Sequence, residues 1–397
     1  MRLTLLLLMG GILLLSACGE EDSDPTFSFK RTLAPEGKSL GDSDSVLAFE
    51  ADLAIRYELV AGDGRACAYG QLSANTGGNF LNCWGRRINP KYKTLAGHRI
   101  GGTNKMLSIG EDHICTTGLL TSQRVQCDGS NSHGQNTDPT PINLADSKSG
   151  HWLTDPYVVA SGARHNCSLD AFGVYCWGGN SQGQTDVPVL SLPKWVSAGG
   201  DTSCAIDDNN GIDELVCWGS NEHGQTDIPD SLTAISKVAV GDGYVCVSNV
   251  GQVECWGDTA DWDVPATSYT NVVHISAGKD HVCILDETQA VPQVLSAQCF
   301  GNNNSAGDLL TVPEPPLSVL NTKIRTISAG NGLSCASYDY DGYAYSPEKD
   351  GSYTEEVHKG ILCWGKNDED QINGPKQLCL GYHSKAIDYD DRTCPEN

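Results

Sequence analysis

The chain has 397 residues, with 26 basic against 50 acidic side chains and a formal charge of −24. That balance repels DNA, RNA and anionic lipid surfaces and argues against nucleic-acid binding, while acidity alone keeps an exported protein soluble and requires no basic partner. Of the 17 cysteines, an even sixteen remain once Cys18 is set aside, as a disulfide framework made in an oxidising compartment requires.

At the N-terminus Arg2 precedes an apolar run from Leu3 to Leu15. The run is too short to span a bilayer as a stable helix and has the layout of a secretory signal. It ends in Leu15, Ser16, Ala17 and Cys18, which resembles the lipobox of bacterial lipoproteins. That resemblance implies a signal peptide over 1–17 and lipidation of Cys18. Residue 19 is Gly; in the lipoprotein family an aspartate there retains the protein at the inner membrane, so the resemblance implies outer-membrane sorting, on the periplasmic or the cell-surface side. Residues 18–45 begin with Cys18, Gly19, Glu20, Glu21 and Asp22, continue in Ser, Asp, Gly and Pro, and read as an acidic flexible tether. No later apolar run reaches membrane length, so the membrane is met only through the lipid.

From residue 46 to 373 one unit recurs seven times. It is clearest in Val196-Ser-Ala-Gly-Gly-Asp-Thr-Ser-Cys204, followed after a turn by Val216-Cys217-Trp218-Gly219-Ser-Asn221-Glu-His-Gly224-Gln225. The pattern pairs Cys67 with Cys83, Cys115 with Cys127, Cys167 with Cys176, Cys204 with Cys217, Cys246 with Cys255, Cys283 with Cys299 and Cys335 with Cys363. First cysteines lie 48, 52, 37, 42, 37 and 52 residues apart, which suits one four-stranded blade per unit. The segments are short, rich in β-branched and aromatic residues, and bounded by Gly, Asn and Asp, with no helical period. The fold expected is all-β, a seven-bladed β-propeller. Symmetric turns place Cys167 opposite Cys176 and Cys246 opposite Cys255, at a Cα separation of roughly 4.5 to 5.5 Å that a disulfide tolerates, so each bridge lies inside its blade. Cys379 and Cys394 form an eighth pair that pins the tail, 374–397.

Trp84, Trp177, Trp218, Trp256, Phe300 and Trp364 follow the second cysteine of their repeats. Strand alternation puts each ring opposite the sulfur, where it packs between blades. The first repeat has Arg65 where others have His, and the second has Asp128 in place of the aromatic, so those two blades are expected to be irregular.

The repeated Ser-Ala-Gly, Cys and Cys-Trp-Gly-x-Asn-x-x-Gly-Gln elements are similar to the repeat of the regulator of chromosome condensation family in its bacterial, cysteine-paired form, from about Val60 to Gln371. The resemblance implies the seven-bladed propeller and the use of a propeller face as a docking surface. Members include a nucleotide-exchange factor and a secreted inhibitor of β-lactamases. Exchange activity is not carried over, because no segment here matches its catalytic loop.

His113, His165 and His281 stand two residues before the first cysteine of three different repeats. Ligands for one zinc must converge within about 2 Å of it, which three blades do not allow, so each histidine is read as bonding its neighbouring glycine turn. His133 and His223 are read the same way. Asp207 to Gly211 and Asp339 to Gly342 resemble fragments of calcium loops but lack the spacing and terminal glutamate. No metal, no other cofactor and no catalytic residue is expected: hydrolase, zinc-protease and phosphate-loop motifs are absent and the cysteines are committed to pairs.

Variation is concentrated between the paired cysteines, in insertions at Ala68–Asn82, Ile284–Gln298 and Ala336–Leu362. The last holds Tyr338, Tyr340, Tyr343, Tyr345 and Tyr353 among Asp, Gly and Ser, a composition like that of a paratope. The function expected is a monomeric, lipid-anchored envelope scaffold that docks an envelope or extracellular protein. A polysaccharide- or peptidoglycan-binding lipoprotein is the rival reading, and a loop-built enzyme the third.

Overall fold

Alternating apolar residues bounded by glycine turns give short antiparallel strands, and the computed structural model arranges them as seven sheets among the described residues. The residues described are 59–71, 79–85, 106–117, 125–137, 156–249, 251–260, 262, 269, 271–287, 295–302, 310–311, 320–346, 352–365 and 377–378. They fall in one unit spanning 32–397. The signal segment, the tether with Cys18, the stretch 46–58 and the pair Cys379 and Cys394 lie outside them.

Blade 1 consists of β1 (Leu59–Ala61), β2 (Arg65–Gln71) and β3 (Asn79–Gly85), and blade 2 of β4 (Leu107–Ile109), β5 (His113–Thr116) and β6 (Gln126–Gly129). Blade 3 has β7 (Val158–Ser161), β8 (His165–Asp170) and β9 (Gly173–Gly178); blade 4 has β10 (Pro193–Gly199), β11 (Thr202–Asn209) and β12 (Ile212–Gly219). Blade 5 has β13 (Lys237–Val240), β14 (Tyr244–Asn249) and β15 (Gln252–Gly257), and blade 6 has β16 (Val272–Ala277), β17 (His281–Glu287) and β18 (Leu295–Gly301). Blade 7 has β19 (Leu320–Ala329), β20 (Leu333–Ser346), β21 (Ser352–Gly365) and β22 (Gln377–Leu378).

Four strands per blade were expected, yet among the described residues only blade 7 has four. Where the chain after the third strand is described, at 179–190 and 220–236, it is irregular. Pro188 and Pro229 fall in these stretches, and proline cannot donate to a ladder. Blades 1 and 2, expected to be irregular, have the same three-stranded sheet and disulfide as their neighbours.

The disulfide register holds throughout. Each of the seven described bridges joins residues directly opposite in the second and third strands, at Cα separations of 4.0 to 4.1 Å. Such bridges place the chain in an oxidising compartment.

The first strand of each blade packs against that of the next, and β19 packs against β1, so the ring closes. Backbone bonds stitch the turns that follow these strands: Ala163 N–H donates to Gly200 O at 2.7 Å, Lys279 N–H to Gly330 O at 3.2 Å, and Asn331 N–H to Gly62 O at 3.0 Å across the closure. A Cβ on Gly330 would collide with the Gly62 carbonyl, so the turn needs glycine there. The serine of the Ser-Ala-Gly element, Ser-Ile-Gly in blade 2, has a similar task. Ser108, Ser197, Ser276 and Ser328 hydroxyls accept from the N–H of Ser161, Val240, Ala329 and Ala61 respectively, each in the next blade, at 2.8 to 3.1 Å.

Candidate binding face

The up-and-down path of each blade sorts its connections onto two faces. Glycine turns between first and second strands, and the Asn-x-x-Gly-Gln loops after the third, lie on one face, called the turn face here. Hairpins between second and third strands lie on the other, the hairpin face, where the chain also enters the next blade.

In six of the seven blades the residue two positions before the first cysteine is a latch to the following blade, whereas in blade 4 Thr202 bonds Ser220 O and Gln225 Nε2 of its own repeat. His165 Nε2 bonds Ser203 Oγ at 2.8 Å, His113 Nε2 bonds Asn166 Oδ1 at 2.7 Å, and His281 Nε2 bonds Ser334 Oγ at 2.6 Å. All three rings are fully buried against their glycine turns, but the hydrogen bond goes to the next blade and not to the turn expected from sequence. Other residues fill the role elsewhere. Arg65 donates to the Glu111 carbonyl at 2.9 Å and pairs with Asp112 at 3.3 Å. Tyr244 donates to the Gly278 and His281 carbonyls at 3.0 and 2.7 Å. Leu333 packs with Leu59, Ala61 and Ala66 of blade 1.

Burial disfavours the charged imidazole, and it pushes His113 and His281 down to about 4 and His165 down to about 3. These are neutral structural groups. His133, by contrast, is exposed and bonds Ser132 at 2.8 Å.

The Asn-x-x-Gly-Gln loops are self-bracing. Asn180 Oδ1 accepts from Thr185 N–H and Gln184 Oε1 from Gln182 N–H, and Asn221 and Gln225 repeat both bonds. Backbone carbonyls of Gln135, Gln184 and Gln225 then receive the indole N–H of Trp177, Trp218 and Trp256 from the following blade, at 3.0 to 3.2 Å. The tryptophans are therefore cement between blades, as their spacing predicts. Near this face Glu111, Asp112, Ser130, Ser132, His133 and Arg164 line a polar cleft of about 220 Å³ at the boundary of blades 2 and 3, crossed by an Arg164–Glu111 ion pair at 3.5 Å.

The calcium-like fragments have other duties. Asp207 oxygens accept from Ser191 and Leu192 N–H, Asp208 is bound by Lys194 and Gly211 N–H, and Asn210 and Gly211, at φ 58° and 88°, make the tight hairpin turn. Asp339 to Gly342 lie within β20. Among the described residues no group of three or more His, Cys, Asp or Glu is arranged to hold a metal.

On the hairpin face the long insertion of blade 7 is a β-ribbon and not a loop. β20 and β21 pair without a break from Leu333 opposite Gly365 to Ser346 opposite Ser352. β19 accompanies β20 only to Asp341, and β22 meets β21 at Lys359 and Gly360. The pairing continues past both neighbours. Register splits the five tyrosines: Tyr343, Tyr345 and Tyr353 occupy one face, with Tyr345 opposite Tyr353, while Tyr338 and Tyr340 occupy the other. Tyr338 is only 5% exposed, and burial raises the pKa of its hydroxyl. It belongs to the blade interior, which corrects its assignment to a partner-binding surface.

Comparison with known proteins agrees with this architecture. Residues 196–225, the fourth repeat, match the regulator of chromosome condensation (RCC1) repeat. The fourth repeat of the chain is thus an RCC1-like repeat. A search of curated proteins returned no match. Among solved structures it is similar to the entire ectodomain of the Physcomitrella patens receptor kinase CR4, with 21% identity over 78% of this chain and 72% of that one and a TM-score of 0.51. It is similar also to the CRINKLY WD40 ectodomain of the Arabidopsis thaliana receptor kinase ACR4, with 22% identity over 79% and 96% and a TM-score of 0.50. At these identities the likeness concerns the fold.

Proposed function

We propose that this protein is an exported, lipid-anchored scaffold of the cell envelope, held by Cys18 and tether 18–45, which docks a protein partner on the hairpin face of its propeller without catalysis. The observation that carries this reading is the β20–β21 ribbon. Cysteines, glycines and tryptophans recur in the other blades because each must pack, whereas the ribbon beyond Asp341 occurs once and reaches past the strands that flank it. Its register assigns Tyr343, Tyr345 and Tyr353 to positions of one face, and rigid aromatics with few rotamers give contact area at small entropic cost. Tyr340 is a further candidate on the opposite face. Outer-membrane sorting and a monomeric state complete the proposal.

The ribbon's register defines the deletion that tests it. Removing Tyr343 to Glu355 and joining Gly342 to Glu356 through a tight turn spares every pair that β19 and β22 make. Envelope extracts passed over wild-type and trimmed propellers should show a partner retained by the first and lost by the second. Equal capture by both would remove the ribbon from the binding site.

A further inference from the structure

The large apolar side chains left exposed among the described residues are Phe172 at 45%, Val189 at 76%, Leu192 at 42% and Ile212 at 65%. Exposed apolar residues scattered singly need no explanation, but a group on one surface does. These four fall on two adjacent blades and at the same end of both. Phe172 is in the two-residue turn between Asp170 and Gly173, which pair with each other. Ile212 opens β12 opposite Asn209, beyond the Asn210-Gly211 turn. Leu192 stands at the entry to β10, its carbonyl accepting from Asp208 N–H at 3.0 Å. Val189 lies two residues before Ser191, which Asp207 fixes at 2.8 Å. All are therefore on the hairpin face, and half-buried Trp195 at the start of β10 packs against the apolar clusters on both sides of blade 4.

None of the four is dictated by the turn it sits in. Hairpin tips favour Asn, Asp, Gly and Ser, and the chain uses those residues at Asn210 and Gly211, next to Ile212. The surrounding charge has one dominant sign. The carboxylates that reach the surface are Asp208, Asp213 and Glu214 of the blade 4 hairpin, and the cation among them is Lys194, held by Asp208 at 2.9 Å and Asp213 at 2.6 Å. Asp170 and Asp207 are buried and accept from backbone N–H groups.

We infer that the Phe172, Val189, Leu192 and Ile212 patch is a docking site for a protein segment that presents apolar side chains flanked by lysine or arginine. Charge complementarity selects this occupant: a basic flank meets the carboxylate rim, and an acidic one is repelled. A second copy of this chain is disfavoured by the same rule, since both copies carry −24. The inference rests on the reading of the hairpin face as the binding face and adds to it a second position and a partner chemistry.

The test uses the full chain and two labelled synthetic peptides, one with Leu, Phe and Ile spaced by Lys and Arg, the other identical but with Glu at every basic position. Titration by fluorescence anisotropy should show the basic peptide binding, weakening with salt, and the acidic one binding at least tenfold more weakly. Val189→Ser with Ile212→Ser keeps every charge and removes two exposed groups without packing duties; it should lower affinity for the basic peptide by about tenfold. Unchanged affinity in that variant, or no binding of the basic peptide to wild type, overturns the inference. Hydrogen-exchange mapping separates its failure from that of the wider reading. Protection at β20–β21 alone removes this patch and keeps the hairpin face, whereas protection at the turn face contradicts both.

Discussion

Ser203 Oγ donates to the Gln184 carbonyl at 3.0 Å, so in its 2.8 Å bond with His165 it must accept, and the imidazole carries its proton on Nε2. The same Gln184 carbonyl receives Trp218 Nε1 at 3.0 Å. One buried hydroxyl thus joins the latch of blade 3, the loop after β9 and the indole side of blade 4. At the next boundary back, Asn166 plays the serine's part, accepting from His113 and donating to the Gln135 carbonyl, which also receives Trp177. At these two boundaries the three-part joint ties neighbouring blades together, as a ring of repeats stabilised through its neighbours requires.

Replacing His165 by Ala removes the Nε2 donor, opens a cavity beside Gly162 and leaves Ser203 one partner short. The expected loss is about 2 kcal/mol or more, read as a fall in the urea midpoint. Tyrosine already serves this position in blade 5, where it reaches the carbonyls of blade 6. His165→Tyr should therefore cost less than His165→Ala if backbone acceptors lie within reach.

Acid should open the ring at these joints. Folded pKa values of about 4, 3 and 4 for His113, His165 and His281 lie below the unfolded value of 6.5. The unfolded chain therefore binds protons first. Stability from these groups is complete above about pH 6.5, falls as the pH drops, and is spent below the folded values, with on the order of 3 to 5 kcal/mol at stake per histidine. Burial is the leading cause at all three. At His113 nearby Arg65 adds to the lowering, while the Asn166 bond and Asp112 oppose it; at His165 the neighbouring His113 adds to the lowering. Denaturation midpoints measured between pH 7 and 4 should fall steeply in wild type and less steeply in a His165→Tyr background.

The tyrosines of blade 7 separate by role. Tyr338→Ser should destabilise by about 1 to 3 kcal/mol, since a buried ring is lost. Tyr345→Ser and Tyr353→Ser should leave the melting temperature nearly unchanged and weaken partner capture. Calorimetry and pull-down on the same three variants check this, and equal melting of all three would place Tyr338 outside the core.

Much of the fold was legible because it repeats. Two cysteines per unit fix the hairpin register, and a one-residue slip in any blade would put sulfur on the wrong face. Ser108, Ser197, Ser276 and Ser328 could be seen as recurrent, but their acceptance of an N–H from the next blade depends on how closely the first strands approach. The spacing of the histidines marks them as structural but does not show their partner, for the same reason: a glycine turn is local in sequence, and Ser203 is not. The extended pairing of the blade 7 insertion is not legible in the sequence, because Tyr, Asp, Gly and Ser suit turns as well as strands, and only the pairing of Tyr345 with Tyr353 tells them apart. Phe172 and Ile212 carried a signal that was available, apolar residues at hairpin tips where polar ones are expected.

Non-reducing peptide mapping should recover the seven described bridges within repeats and, as the sequence leads one to expect, Cys379 linked to Cys394. Removing one staple, Cys246→Ser with Cys255→Ser, should cost about 2 to 3 kcal/mol and keep the β-sheet spectrum. Cys18→Ser should abolish incorporation of labelled fatty acid; continued labelling in that variant would contradict the lipid anchor.

The central claim, a protein partner on the hairpin face, is tested most directly by a photo-cross-linking amino acid placed singly at Tyr345, Val189 and, on the turn face, exposed Glu222 of the full chain in intact cells of the native host. The account predicts a discrete adduct with a second protein from Tyr345 or Val189 and none from Glu222. Adducts from Glu222 alone, or from none of the three, would contradict it.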